Sequence, residues 1–347
     1  MYKVGVCGHF AFGEQFNSGQ KDKTRSIHAA LVKALGEEKV AALDTRGWSK
    51  NPVAFALKCR KLISECENII MLPGENALKI IPALFEAFNI IYKRKLHYVV
   101  VGGWLVDHLK KNPSLIKPVK KLDCIYVELK SMKTNLEKMG FDNVYFKPKF
   151  RETNAISPDE IYFPAGEPYR VCTFSRICYS KGIEDAIEAV RYVNSTLGRT
   201  VYNLDIYGLP DDDYIERFEE LKKGFEPFIN YKGYIQGTAA SSKELHTCFA
   251  MLFPTWYEGE GFAGTVVDAF CAGVPVIATD WKYNEEVITH GSDGIIYSVN
   301  EREKLKDILL EVAQTPDILN NMRVNCLNHA DEFSPQKGVK VIVDRLK

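Results

Sequence analysis

The stretch Phe253 to Asp280, FPTWYEGEGFAGTVVDAFCAGVPVIATD, decides the reading of this chain. It predicts a strand ending at Pro254 and then a loop in which Glu258, Gly259, Glu260 and Gly261 follow one another. A helix over about 264–272 comes next. Gly273 is placed to close that helix in the left-handed conformation, which glycine adopts at little cost. Residues 274–278 read as a buried strand. The loop therefore feeds a helix N-terminus, where unpaired N–H groups favour negative charge. Glu260 and Asp268 frame the helix start. An acid beside an anion site repels phosphate, so these two should face hydroxyl groups, from which a carboxylate accepts several hydrogen bonds. A phosphate flanked by hydroxyls describes a nucleotide sugar. The alternative is a solvated loop with an acid at a helix start.

The stretch resembles the acidic motif of the retaining family-4 glycosyltransferases of GT-B fold. Their pattern is Glu, seven residues, Glu, then a short helix, a glycine and Pro-Val. Here it reads Glu260, GFAGTVV, Asp268, AFCAGVPV, with aspartate as the second acid. The resemblance implies that Glu260 contacts the donor sugar and Asp268 the ribose. It also implies that Gly261, Phe262, Gly264 and Thr265 line the donor.

Upstream of the motif, 169–174 reads as a strand, followed by SRICYSKG and a helix bearing Ile183, Ile187, Val190 and Val193. Arg176 and Lys181 bracket this strand-to-helix loop. Two fixed cations and a helix N-terminus suit a diphosphate; two solvated surface cations are the plainer alternative. Arg, four residues, Lys and Gly is similar to the diphosphate motif of the same family. The strand LDIYG (204–208) and the segment YKGYI (231–235) resemble further family elements, and the latter implies base contact near Tyr234. Asp211 and Asp213 spell Asp-x-Asp, a metal-binding pattern elsewhere. Here they precede a helix and read as acids favoured by its dipole, so no metal is expected.

The first half alternates apolar strands and helices from residue 2 to 146, which predicts a parallel sheet covered on both faces. Gly19 precedes its first helix and reads either as a turn or as a close approach to phosphate or acceptor. The glycines after the first strand do not spell a dinucleotide fingerprint, so NAD is discounted. The loop LPGEN (72–76) lies where many relatives carry a histidine; Glu75 and Asn76 read as helix-capping residues. Residues 104–121 interleave apolar side chains with five lysines. With Lys93, Arg94 and Lys95 they suggest either an anionic membrane surface or a solvated basic face, the latter favoured by Pro113 and Pro118. No nucleic-acid-binding motif is present. Lys147-Pro148-Lys149-Phe150 resembles the tripeptide before the family's interdomain linker.

The 347 residues suit two domains. The expected division is 1–150 with a returning C-terminal helix at 333–347, a linker at 151–168 and a donor domain at 169–332. The net charge of zero hides an asymmetry. Residues 1–150 carry 25 Lys and Arg against 14 Asp and Glu, a net +11, and the remainder carries −11. A basic half suggests an anionic partner. Nine scattered cysteines without a Cys-x-x-Cys pair suggest reduced thiols. No membrane-length apolar run or signal-peptide cleavage region is evident, which together suggest a cytoplasmic protein, peripheral at most on the membrane.

The resemblance implies two Rossmann-like doubly wound domains facing across a cleft. It implies transfer of a sugar from a nucleotide-sugar donor, UDP slightly favoured, to a glycan or lipid-linked acceptor, as in capsule, exopolysaccharide or O-antigen assembly. Arg176, Lys181 and Glu260 would be catalytic, with no cofactor and no metal. A non-catalytic nucleotide-sugar or glycan-binding partner subunit and a GT-B sugar epimerase remain the alternatives.

Overall fold

The computed structural model describes residues 1–11, 19–150, 154–235 and 237–346, without the side chains of 19–22, 238 and 239. The chain divides into two compact units, Met1–Arg151 with Ser334–Lys347, and Glu152–Phe333.

The first unit runs β1 (Tyr2–Gly8), α1 (Gly19–Leu35), β2 (Val40–Asp44), α2 (Pro52–Glu65), β3 (Cys66–Met71), α3 (Ile81–Tyr92), β4 (Lys95–Val99), α4 (Leu105–Lys111), α5 (Ile116–Lys120), β5 (Cys124–Val127), α6 (Lys130–Lys138) and β6 (Val144–Phe146). Its six strands are parallel in the order β2-β1-β3-β4-β5-β6. The strands read as continuous apolar runs because helices cover both faces. Helix α2 shows how local sequence builds an element. Asn51 Oδ1 accepts from the Ala54 N–H at 3.1 Å, and Pro52 occupies the first turn, where its missing N–H costs nothing. Phe55, Cys59, Leu62 and Ile63 then form the buried stripe.

The second unit runs β7 (Tyr169–Phe174), α7 (Ile183–Leu197), β8 (Tyr202–Tyr207), α8 (Ile215–Lys223), β9 (Ile229–Gly233), α9 (Thr238–Leu245), β10 (Ala250–Phe253), α10 (Gly264–Cys271), β11 (Val276–Thr279), α11 (Asn284–Val287), β12 (Gly294–Tyr297), α12 (Lys304–Gln314), α13 (Asp317–Asn320) and α14 (Arg323–Ala330). The strand order is β12-β11-β10-β7-β8-β9, again parallel. Gly273 has φ +65° and closes α10 as its sequence indicated. The last helix, α15 (Pro335–Val343), packs on α1, with Val339 and Ile342 in the first unit's core beside Phe150.

Several expectations need correcting. The apolar run 76–92, whose sequence reads as one helix, is broken, since Pro82 sits in the first turn of α3 and a separate 3-10 turn spans Glu75–Ala77. Residues 316–330, whose sequence reads as one helix, form two, α13 and α14. At the start of the second the buried Arg323 donates to the carbonyls of Cys248 at 2.8 Å, Phe249 at 3.0 Å and Gly273 at 3.2 Å. The stretch read as a linker is held to the second unit, where the Ile156 N–H donates to Cys271 O at 2.9 Å. The apolar side chains of 104–121 belong to the core: Leu105, Val106, Leu109, Leu115 and Val119 are all buried. All nine cysteines are buried and free. Lys147, at the end of the first sheet, is buried against Glu128 at 2.9 Å. Burial pushes its ammonium down to about 8 against the pull of Glu128. Burial pushes the Glu128 carboxyl up, but Lys147, Lys23 and Lys149 outweigh it and hold it at about 2.

Candidate functional site

Strand β7 starts the second sheet in its middle, and the chain builds outward through β8 and β9 before returning to β10 on the other side. Such a reversal leaves a crevice at the C-terminal ends of the two central strands, where open α/β sheets bind ligands. The loops after β7 and β10 meet there. The Trp256 N–H donates to Ser180 O at 2.8 Å. Gly182, with φ +72°, permits the close approach: a Cβ at this position would lie 2.2 Å from Pro254 O.

The two loops bring Lys181 and Glu260 together. Lys181 Nζ lies 2.5 Å from Glu260 Oε2, and both side chains are nearly buried, at 8% and 9% exposure. Thr255 Oγ1 donates to the same carboxylate oxygen at 3.0 Å. The Tyr257 ring lies beneath two cations, 5.1 Å from the Lys181 ammonium and 5.0 Å from the Arg176 guanidinium. Arg176 is half-exposed and holds Asp211 at 3.0 Å. Asp211 therefore pairs with Arg176, which corrects its reading as a helix-dipole acid. Helix α8 begins after Tyr214 with no side-chain cap. Helices α7 and α10 start after Gly182 and Ala263, residues without a capping side chain, so their first N–H groups are left to water or a ligand.

The other expected residues are placed as follows. Gly264 and Thr265 open α10, and Asp268 lies one turn in with 3% exposure. Phe262 stands edge-on to Phe333 with ring centroids 5.3 Å apart, so its ring packs against the core. Gly261 lies in the loop before α10. Tyr234 follows β9 and is 60% exposed. Gly19 is the first residue of α1; residues 12–18 before it lie outside the described residues. Thr255 and Tyr257 were not singled out by sequence, although the aromatic pair in TWYEGE was the available signal. Beside this loop a cavity of about 590 Å³ is walled by Trp256, Tyr257, Trp281 and Arg302.

The first sheet also reverses its order, between β1 and β3. A pocket of about 430 Å³ opens there, lined by His9, Thr45, Arg46, Trp48, Leu72 and Glu75. Glu75 Oε1 lies 2.8 Å from Nδ1 of the buried His108, which arrives from α4. The Trp104 ring stands edge-on to that imidazole at 5.4 Å. Gly74, not Glu75 or Asn76, precedes the local turn, and no side chain caps it. A histidine thus reaches this loop from α4, 33 residues away in the chain. Among the described residues no three His, Cys, Asp or Glu side chains gather as a metal site.

Residues 159–332 match the family described as glycosyl transferases group 1. The UDP-N-acetylglucosamine–peptide N-acetylglucosaminyltransferase GtfA subunit of Streptococcus gordonii is 27% identical over 262 residues, 72% of this chain and 48% of that one. The amylovoran biosynthesis glycosyltransferase AmsK of Erwinia amylovora is 24% identical over 232 residues, 60% of this chain and 51% of its own. The chain thus spans about half the length of the curated relatives it matches. Among solved structures, Anabaena HepE in complex with UDP superposes with a TM-score of 0.71 at 14% identity, covering 100% of this chain and 99% of that one. That likeness identifies the fold as GT-B.

Proposed function

The chain belongs to the group 1 glycosyl transferases, and from that premise we propose that it moves a sugar, with retention and without a metal, from a nucleotide-sugar donor to a glycan or lipid-linked acceptor. A UDP-sugar is the favoured donor, since the named GtfA relative uses one. Polysaccharide assembly is the favoured setting, in line with the named AmsK relative. The observation that carries the reading is the Lys181–Glu260 pair at the reversal point of the second sheet.

The bond that breaks joins the sugar's anomeric carbon to a phosphate oxygen, and the leaving diphosphate gathers negative charge as it departs. Groups held in place for that charge lower the barrier, because they stabilise it without reorganising. Lys181, fixed by Glu260 and by the ring of Tyr257, is such a group. Arg176 differs. Its pair with Asp211 is half-exposed, and exposed pairs contribute only about 0–1 kcal/mol, so a diphosphate can replace the carboxylate cheaply. The uncapped starts of α7 and α10 add N–H donors. Lys181 and Thr255 both hold Oε2 of Glu260, and Oε1, without a partner among the described residues, is left to accept from a donor hydroxyl. Asp268 is the candidate ribose partner, and its 3% exposure requires neighbouring groups to yield first. In the first unit, the pocket at Glu75 is the candidate acceptor site.

Thermal stabilisation by UDP, GDP, dTDP and CMP, each with and without a chelator, tests the reading. A nucleotide at a hundredfold its dissociation constant should add about 2.7 kcal/mol. One nucleotide should stabilise, with no effect of the chelator. Stabilisation by none, or only with metal, would move a non-catalytic partner subunit ahead. Arg176→Ala should leave stability within about 0.5 kcal/mol. The same variant should lower turnover on the order of 10²–10³-fold. An equal loss in nucleotide affinity would assign Arg176 to ground-state binding instead.

A further inference from the structure

Helix α3 carries no charge on its outer face. Ile81, Pro82 and Phe85 are buried against the sheet. The opposite stripe is Ile80, Ala83, Ala87, Ile90 and Ile91, at the spacing of one helix face. Ile90 is 78% and Ile91 75% exposed. Helix α2 packs alongside α3 and adds Val53 at 72% and Leu57 at 61% exposure. Soluble surfaces carry isolated apolar residues without consequence, but a helix face of five apolar side chains, beside two more on the helix packed against it, marks a docking surface. The same sequence could have placed these isoleucines inward; the sheet is instead contacted by the other face of α3.

The border of the stripe is basic. Lys58, Arg60 and Lys61 are exposed on α2, Lys79 precedes α3, Lys93 follows it, and Lys117 and Lys121 lie on and just after the neighbouring α5. Of the acids nearby, Glu65 approaches Lys61 at 4.0 Å and Glu86 lies at the stripe's edge. Burial pushes the Glu86 carboxyl up, against the pull of Lys121.

We propose that the outer face of α2 and α3 docks on an anionic lipid surface, with Ile90, Ile91, Val53 and Leu57 entering the acyl boundary and the lysines meeting the headgroups. An apolar stripe bounded by Lys and Arg has the chemistry of an interfacial helix pair. A second copy of the chain is disfavoured as occupant, because a two-fold contact would bring the basic borders onto each other. None of the described helices is long and apolar enough to cross a membrane, so the contact is peripheral. The surface belongs to the first unit and the donor site to the second; its purpose, keeping the enzyme beside a lipid-linked acceptor, rests on the function proposed above.

The test is flotation of the full chain with vesicles of phosphatidylcholine alone or with 30 mol% (about a third) phosphatidylglycerol, at low and at physiological salt. Binding should require the anionic lipid and weaken with salt. Ile90→Asp/Ile91→Asp should reduce it at least tenfold, and Lys58→Glu/Lys61→Glu/Lys93→Glu should abolish it. All five side chains are exposed, so both variants should keep the wild-type melting temperature and nucleotide response, which separates failure of this proposal from failure of the donor site. Absence of binding to either vesicle, or binding that the isoleucine variant leaves unchanged, overturns it. So does a dimer in light scattering that the isoleucine variant dissociates, since the face would then join two copies of the chain.

Discussion

At the reversal point of the second sheet, two short loops bury a lysine against a glutamate 2.5 Å away. At the reversal point of the first sheet, four segments leave an open pocket of about 430 Å³ whose glutamate, Glu75, is 58% exposed. Both arise from the same topological device in parallel sheets. The difference lies in what each must hold. Charge that is to be stabilised in place calls for rigid, partly dehydrated partners, where electrostatics is strong. An open pocket with polar walls can change its occupant without disturbing the sheet beneath. Both are built from loops that follow strand ends, and they differ in that a buried ion pair closes the first while the second is left open to solvent.

The buried pair is where the contrast is sharpest. Lys181→Met leaves the Glu260 carboxylate buried without its cation and should destabilise the second unit by about 3–5 kcal/mol. The double variant Lys181→Met/Glu260→Gln should recover most of that stability while remaining inactive. If the single variant melts like the wild type, Glu260 has found solvent and the site is less rigid than the comparison holds.

Acid should discriminate the units next. His97 is fully buried in the first sheet, with Nδ1 3.0 Å from the Tyr126 hydroxyl. Burial, aided by Lys95, pushes its imidazole down to about 4. The unfolded chain takes up this proton near pH 6.5 and the folded chain only near 4. This contribution to stability is therefore complete above pH 6.5 and is lost as pH falls toward 4, by about 3 kcal/mol. Melting curves of wild type and His97→Gln across that window should converge as the pH drops. Parallel curves would mean that the imidazole finds water in the folded state.

The smallest effect is expected at the open pocket. His108→Leu removes the partner of Glu75 and should cost about 1–3 kcal/mol or less, because Glu75 can turn to water. If the pocket holds acceptor, KM for acceptor should rise on the order of tenfold with donor binding unchanged. A change in donor affinity alone would detach Glu75 from the acceptor role.

The comparison also explains what could be read in advance. Arg176, Lys181 and Glu260 each follow a strand closely, and the helix after each loop has a clear apolar period. Position in such a loop puts a side chain at the C-terminal edge of the sheet, but spacing alone is equally compatible with solvated surface charges, and the resemblance to the family's motifs singled these residues out. Asp211 was visible too, but its partner was not: an acid before a helix is compatible with a dipole role until Arg176 is brought within 3.0 Å. The lysine-rich segment 104–121 fits the solvated basic face that Pro113 and Pro118 favoured. Its apolar residues are in the core, and the exposed isoleucines lie on α3, whose overall apolarity concealed which side faces out.

By itself the sequence determined the alternation of strand and helix, the closing of α10 at Gly273 and the loops in which the donor-site candidates sit. These follow from periodicity, capping and glycine's backbone freedom, which act within a few residues. Only the tertiary structure decided the two strand orders, the meeting of Lys181 with Glu260 across 79 residues and that of Glu75 with His108 across 33. It also decided which face of α3 is left to solvent. Such pairings depend on where whole elements stack, and no local spacing carries that information.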